Sequence, residues 1–235
     1  MIVVGFDTAT VDTVACAWRD GEVPHESQLG LSATGRPRHA TGLLGEVERA
    51  AAAAGGWGSV DLLAVGLGPG TFTGLRVGIA TARGLSVSLG LPVRGVCTLD
   101  ALGRGIQEAG EGGAALAVLD GWRGEVFAAL YGPGGEQIWE PAVHRPEELA
   151  KQVAELGEAP SVAGSGAVRF RQELAQSGVR IADDSDPVHR VAGRHVCALA
   201  AVAADEEDRD GLAPIYLRPP DAERWRERDA FQKAN

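Results

Sequence analysis

The sequence predicts an α/β fold built from two copies of one module. Three observations lead there. Short continuous apolar runs alternate with stretches of helical period. One order of elements, a strand, a hairpin and then alternating helix and strand, occurs twice. A glycine-rich segment, Gly66 to Gly78, sits where a buried strand turns into a helix.

In the first half, Ile2–Phe6 is a strand buried on both faces, ending at Asp7-Thr-Ala-Thr10. A second strand covers Val14–Trp18. Asp20-Gly21 is a hairpin turn leading to a third near Val23–Gln28. Ala40, Leu43, Leu44, Val47, Ala50, Ala51 and Ala54 keep i, i+3, i+4 spacing and predict an amphipathic helix over 38–54, stopped by Gly55-Gly56. Leu62–Gly66 is a buried strand that enters the turn Gly68-Pro69-Gly70-Thr71-Phe-Thr-Gly74, and a helix follows over 75–89. Pro92–Val96 reads as a strand, with Thr98 placed to cap the next helix.

Gly110–Gly113 reads as a linker, after which the pattern returns. Ala115–Leu119 ends in Asp120 as the first strand ends in Asp7. Strands are expected at Glu125–Tyr131 and Gln137–Val143, and a helix at 146–156. A short strand Ser161–Gly164 and a Gly164-Ser-Gly166 turn then enter a helix near 167–177, and a last helix spans 193–204. The expected organisation is a first lobe over 1–110, a second over 111–217 and a flexible tail over 218–235, where Asp221–Asp229 is highly charged.

Composition narrows the chemistry. With 22 basic and 32 acidic residues the formal charge is −10, so the chain lacks the basic footprint of a protein that grips nucleic acid unaided. Lys151 and Lys233 are the only lysines and neither lies near a glycine turn, which removes Schiff-base and P-loop chemistry. Cys16, Cys97 and Cys197 are scattered and read as core residues in a reducing compartment. Met1 leads directly into a strand, and no apolar run nears the ~18 residues of a membrane helix, so a cytoplasmic protein is expected.

The glycine turn matches neither G-x-x-x-x-G-K-[ST] nor G-x-G-x-x-G. What remains is a strand-to-helix reversal whose amides could hold an anion, or a tight turn that lets helix pack on sheet. Beyond it Gly74, Gly78 and Ala82 recur at i, i+4, i+8 as a strip of small residues bordered by Leu75 and Ile79. Glycine inside a helix costs about 1 kcal/mol against alanine, so Gly78 and Gly84 point to a compensating close contact. The candidate partners are the 38–54 helix or a helix of another protein. Asp7 and Asp120 are weak candidates for holding Mg²⁺ and phosphate in a cleft, with Gly164 and Gly166 as an accompanying turn; each Asp can equally cap its own turn. The five histidines show no zinc spacing, and no G-x-S-x-G elbow exists.

The block Gly66-Leu-Gly-Pro-Gly-Thr-Phe-Thr-Gly-Leu-Arg-Val-Gly78, continued by Ile79–Leu85, resembles the signature of the bacterial TsaB (YeaZ) family. Gly5–Thr10, Gly95–Asp100, Leu119–Val126 and Pro214–Arg218 are similar to that family in the same order, so the resemblance covers about 1–218. It implies two tandem lobes of the actin/Hsp70/sugar-kinase (ribonuclease H-like) type. It also implies a non-catalytic role, pairing with and activating a TsaD-type paralogue in N6-threonylcarbamoyladenosine modification of position 37 in ANN-decoding tRNAs. A TsaE-type ATPase joins that pair. The catalytic paralogue's H-x-x-x-H metal pair falls on Thr98 and Leu102 here, so the metal site is missing.

The resemblance places the partner surface on the first-lobe helices 38–54 and 74–89, with His39, Leu43, Val47, Gly74, Leu75, Gly78, Ile79 and Ala82 as interface residues. On that basis Gly78→Leu is expected to block docking while the chain stays folded. A homodimer through the same surface is expected when the paralogue is absent, with tRNA met only through the complex. No cofactor, metal or catalytic residue is expected, beyond residual ATP or ADP at the complex interface. Two rivals remain: an actin-like-fold ATPase or small-molecule kinase using Asp7 and Asp120, and a stand-alone RNA-binding module.

Overall fold

A computed structural model of the chain describes residues 1–110, 113–203 and 212–218. Of the flexible tail expected over 218–235, Arg218 is held by Gly121 and Glu125, while the residues from Pro219 onward, with Trp225, lie outside the described residues, as do 111–112 of the expected linker. The first sheet contains β1 (Ile2–Asp7), β2 (Thr13–Arg19), β3 (Glu22–Leu29), β4 (Leu62–Gly66) and β5 (Val93–Val96), ordered β3-β2-β1-β4-β5. The second contains β6 (Ala115–Asp120), β7 (Val126–Tyr131), β8 (Gln137–His144), β9 (Ser161–Ala163) and β10 (Arg180–Ile181), ordered β10-β9-β6-β7-β8. In each sheet the opening strand is central, antiparallel to the hairpin strand and parallel to the next crossover strand. The duplication expected from pattern is therefore a duplication of topology.

Burial explains the strand code. β1, β4, β6 and β7 are almost wholly buried and read as unbroken apolar runs, whereas the edge strand β3 is largely exposed, β8 is mostly half-buried, and both interleave polar with apolar residues. Helices α1 (His39–Ala53) and α2 (Phe72–Leu89) cover the outer face of the first sheet, through Leu43, Val47, Ile79 and Ala82 against Val4, Phe6 and Val65. Helix α4 (Pro146–Ala154) covers the outer face of the second through Leu149 and Val153. The helix expected over 167–177 is two short ones, α5 (Ser165–Arg169) and α6 (Arg171–Ala175). They break at Phe170, which leaves helical geometry (φ −113°, ψ 33°) and packs on that outer cluster.

The remaining two helices join the halves. Helix α3 (Thr98–Ala109) follows the first sheet but packs on β6, β7 and β9 of the second. Helix α7 (Gly193–Val202) follows the second sheet but returns to β1 and β2 of the first. Between the sheets they form one core, with Val3, Leu62, Leu99, Leu102, Ile106, Leu119, Phe127 and Val196 in a single cluster. A fully buried leucine such as Leu99 or Leu102 stabilises the fold by roughly 1.5–3 kcal/mol.

The small-residue strip of α2 faces inward. A side chain on Gly74 would overlap the carbonyl oxygen of Thr8, and a Cβ on Gly78 would lie 2.5 Å from Thr8 Oγ1. Within the chain, Gly74 and Gly78 thus face the loop after β1, while Ala82 shares a buried cluster with Leu43 and Val47 of α1. Gly84 lies on the opposite, exposed face and meets nothing. Gly78→Leu is accordingly expected to destabilise the chain by about 1–3 kcal/mol or more through overpacking, read as a lowered urea midpoint. An unchanged midpoint would restore the expectation of a folded, docking-defective variant.

Candidate functional site

The carboxyl ends of the parallel strands form the candidate site, as expected for open α/β sheets. β1 delivers Asp7, which is fully buried. Its Oδ2 accepts a hydrogen bond from Thr98 Oγ1 at 2.7 Å, and its Oδ1 accepts one from the Ala9 amide at 2.6 Å. Gly66, closing β4, has no side chain because the Asp7 carboxyl occupies that volume. Burial pushes the Asp7 pKa above its usual value, opposed by the bonds from Thr98 and Ala9.

Thr98 does not cap α3; Cys97 flanks the helix without a side-chain cap, and the Thr98 hydroxyl is spent on Asp7. Thr98 also fastens the glycine turn. The Gly68 amide donates to Thr98 Oγ1 at 3.1 Å, and the Thr98 amide donates to the Gly68 carbonyl at 2.7 Å. The rest of the turn is taken up by the loop after β1. Thr71 N donates to Ala9 O at 2.7 Å, Thr8 Oγ1 donates to Gly74 O at 2.7 Å, and any side chain on Gly70 would overlap the Ala9 backbone. Pro69 is buried in this arrangement. Of the two meanings open to the turn, close packing is the one its contacts express.

The second lobe repeats the plan with a different closure. Asp120 accepts a hydrogen bond from the Trp122 amide at 2.9 Å and pairs with Arg169 at 2.6 Å, while its own amide donates to Ser165 Oγ at 3.0 Å. Gly164 adopts φ 121°, and side chains on Gly164 or Gly166 would collide with the β6 backbone. The Gly164 amide donates to His189 Nδ1 at 3.1 Å. Asp7 is therefore sealed beneath Thr98 and Asp120 is paired with a guanidinium, so each carboxylate is engaged within the chain. Among the described residues no group of three His, Cys, Asp or Glu side chains is placed to hold a metal ion. Leu102, at the second position aligned with the metal pair, lies in the core between the sheets. Arg169 and His189 escaped the sequence reading, since each acts across a fold contact with no local motif.

The interface residues expected from sequence need correcting. His39, Leu43, Val47, Gly74, Leu75, Gly78, Ile79 and Ala82 are all buried within the chain. The reason is physical: apolar residues at helical period mark the face turned to the core. His39 bonds Thr13 Oγ1 through Nδ1 at 2.9 Å, and desolvation lowers its pKa. The same helices expose other apolar residues, Leu44 (55% exposed) on α1 and Val87 (77%) on α2, with Ala80 and Gly84 beside Val87 along the helix. Their signal in the sequence was an apolar or small residue off the core stripe.

Asp7 yields a pH prediction. Its folded pKa is raised above 3.8, so between the two values the native state holds more protons than the unfolded chain, and stability falls as pH rises through that window. Denaturant titrations should show wild type losing stability relative to Asp7→Asn from about pH 4 upward, levelling once Asp7 ionises in the native state. Parallel pH profiles for the two proteins would contradict the buried geometry.

Comparisons with known proteins agree with this architecture. The family model described as TsaD, tRNA N6-adenosine threonylcarbamoyltransferase, matches residues 34–204. An uncharacterized protein of Mycobacterium leprae is 39% identical over 163 residues, covering 69% of this chain and 39% of its own length. The chain thus spans about two-fifths of that relative, and 66% of related Mycobacterium bovis and Mycobacterium tuberculosis proteins. The tRNA threonylcarbamoyladenosine biosynthesis protein TsaB of Escherichia coli is 31% identical over 189 residues, covering 78% of this chain and 79% of that protein. YeaZ from Pseudomonas aeruginosa superposes with TM-score 0.75 at 26% identity over 92% of this chain and 99% of that one. The ROK hexokinase of Thermus thermophilus shares the fold alone, with TM-score 0.51 at 15% identity over 86% and 99% of the two chains. The architecture is the two-lobed actin-like, sugar-kinase type, and the chain belongs to the TsaB (YeaZ) family.

Proposed function

We propose that this chain is the non-catalytic subunit that pairs with and activates a TsaD-type paralogue in N6-threonylcarbamoyladenosine modification of tRNA. The observation that carries the reading is the closed strand-end site. Asp7 is sealed beneath Thr98, and Leu102 stands in the interlobe core at the second aligned ligand position, so the groups that would do chemistry in a relative hold the fold together here. The match to Escherichia coli TsaB supplies the biosynthetic context. Position 37 of ANN-decoding tRNAs is the substrate of that complex, a TsaE-type ATPase is its third member, and tRNA is met through the complex because a chain of charge −10 lacks its own backbone grip. The ATPase or kinase rival loses its parts, since Asp7, Asp120, Gly164 and Gly166 are each spent inside the chain.

The docking face belongs to the exposed side of α1 and α2, with Leu44, Ala80, Gly84 and Val87, and the same face closes a homodimer when the paralogue is absent. Small residues there allow a close helix approach, while Leu44 and Val87 supply apolar area. In a reconstitution with the TsaD-type and TsaE-type proteins, tRNA, ATP and threonylcarbamoyl donor, omitting this chain is expected to bring modification to background. Leu44→Asp with Val87→Asp should weaken co-elution with the paralogue by about tenfold or more, with the circular dichroism spectrum unchanged. Full modification without the chain would overturn the proposal, and wild-type co-elution of the double variant would move the docking face elsewhere.

A further inference from the structure

Residues 212–218 belong to no helix or strand, yet they are bound at both ends of their course. Leu212 is buried in the outer cluster of the first lobe, where its carbonyl accepts a hydrogen bond from Arg83 at 3.0 Å. The Ile215 amide donates to the carbonyl of Leu67, the residue following β4, at 2.8 Å. Tyr216 stacks on Phe72 at the start of α2, with ring centroids 5.7 Å apart, and the Arg76 guanidinium lies 3.8 Å from the Phe72 ring. Leu217 packs on the core between the sheets.

Arg218 then reaches the second lobe. It donates to the carbonyl of Gly121, the residue following β6, at 2.9 Å and pairs with Glu125 at 2.5 Å, its guanidinium 5.5 Å from the Phe127 ring. Its side chain is 17% exposed, so this is a partly desolvated, charge-assisted contact rather than a loose surface pair. The segment thus runs from the carboxyl end of a strand in one sheet to the carboxyl end of a strand in the other. Helices α3 and α7 join the sheets through their faces, whereas this segment joins them at their strand ends.

We propose that residues 212–218 are an interlobe clasp, anchored on the first lobe by Leu212 and Tyr216 and bolted to the second by Arg218. It holds the glycine turn and the β6–β7 turn at one separation. One guanidinium nitrogen, Nη2, meets both the Gly121 carbonyl and the Glu125 carboxylate, so a charge-assisted contact ties Arg218 to both sides of the β6–β7 turn. The proposal is independent of the partner assigned above, because its geometry lies within one chain.

Hydrogen–deuterium exchange on the full chain separates a clasp from ordinary local packing. Arg218→Ala is expected to speed exchange by about tenfold or more in the 120–126 turn and also in the 66–74 turn, which Arg218 does not touch. Tyr216→Ala should speed exchange in the same two segments from the other end. In both variants α1 and α4 should keep wild-type protection, which certifies the fold. Exchange that rises only beside the substituted residue, or in neither segment, would overturn the clasp. Should Arg218→Ala fail to fold, Tyr216→Ala decides, because its ring is 42% exposed and its loss leaves little cavity.

Discussion

The hydrogen bond from Thr98 to the buried carboxyl of Asp7 is the contact on which the rest of the strand-end site depends. It joins the last residue of the first strand to the first residue of α3, across 91 positions of sequence. A carboxyl without solvent is costly unless its oxygens are bonded, and Thr98 and the Ala9 amide satisfy one oxygen each. The same hydroxyl accepts from Gly68, so a single threonine ties strand, glycine turn and interlobe helix together. Breaking that link leaves a buried polar group unpaired, at a cost of about 1–3 kcal/mol, more if it is charged.

The lock draws the loop after β1 tightly onto the glycine turn. In this class of fold ligands enter beyond the carboxyl ends of the strands, and here that space is met by the chain's own backbone: Thr8 and Ala9 against Gly70, Thr71 and Gly74. The two lobes have diverged in how they close. The first uses a neutral threonine over a sealed acid, and the second an arginine beside a partly exposed one. The repeat keeps its topology while neither copy keeps a free carboxylate at the strand end.

Much of this architecture was legible in the residues. Strands buried on both faces appear as unbroken apolar runs, so β1, β4 and β6 could be placed from sequence, and the repeated order gave the duplication. The residues expected to dock are buried for the same reason the helices are legible: periodic apolar residues reveal which side faces the core. The glycine strip misled because a sequence shows that a face is small, not what lies against it, and Thr8 is 66 residues from Gly74. The return of α7 was equally hidden, resting on contacts such as Cys197 against Gly5, far apart in the chain. Arg169 and His189 act through tertiary contacts that no local spacing announces, and the Pro214–Arg218 block stood out in the sequence without showing what Arg218 would hold.

An architectural glycine turn and a phosphate cradle differ most plainly in whether the chain alone takes up nucleotide. Equilibrium titration of the purified chain with Mg·ATP, run beside Asp7→Asn, measures that difference directly. The closed strand-end site predicts no saturable binding and no ATP turnover by the chain alone. Saturable binding or turnover that disappears in Asp7→Asn would show an open cradle, and would contradict a purely architectural role for Asp7 and the turn.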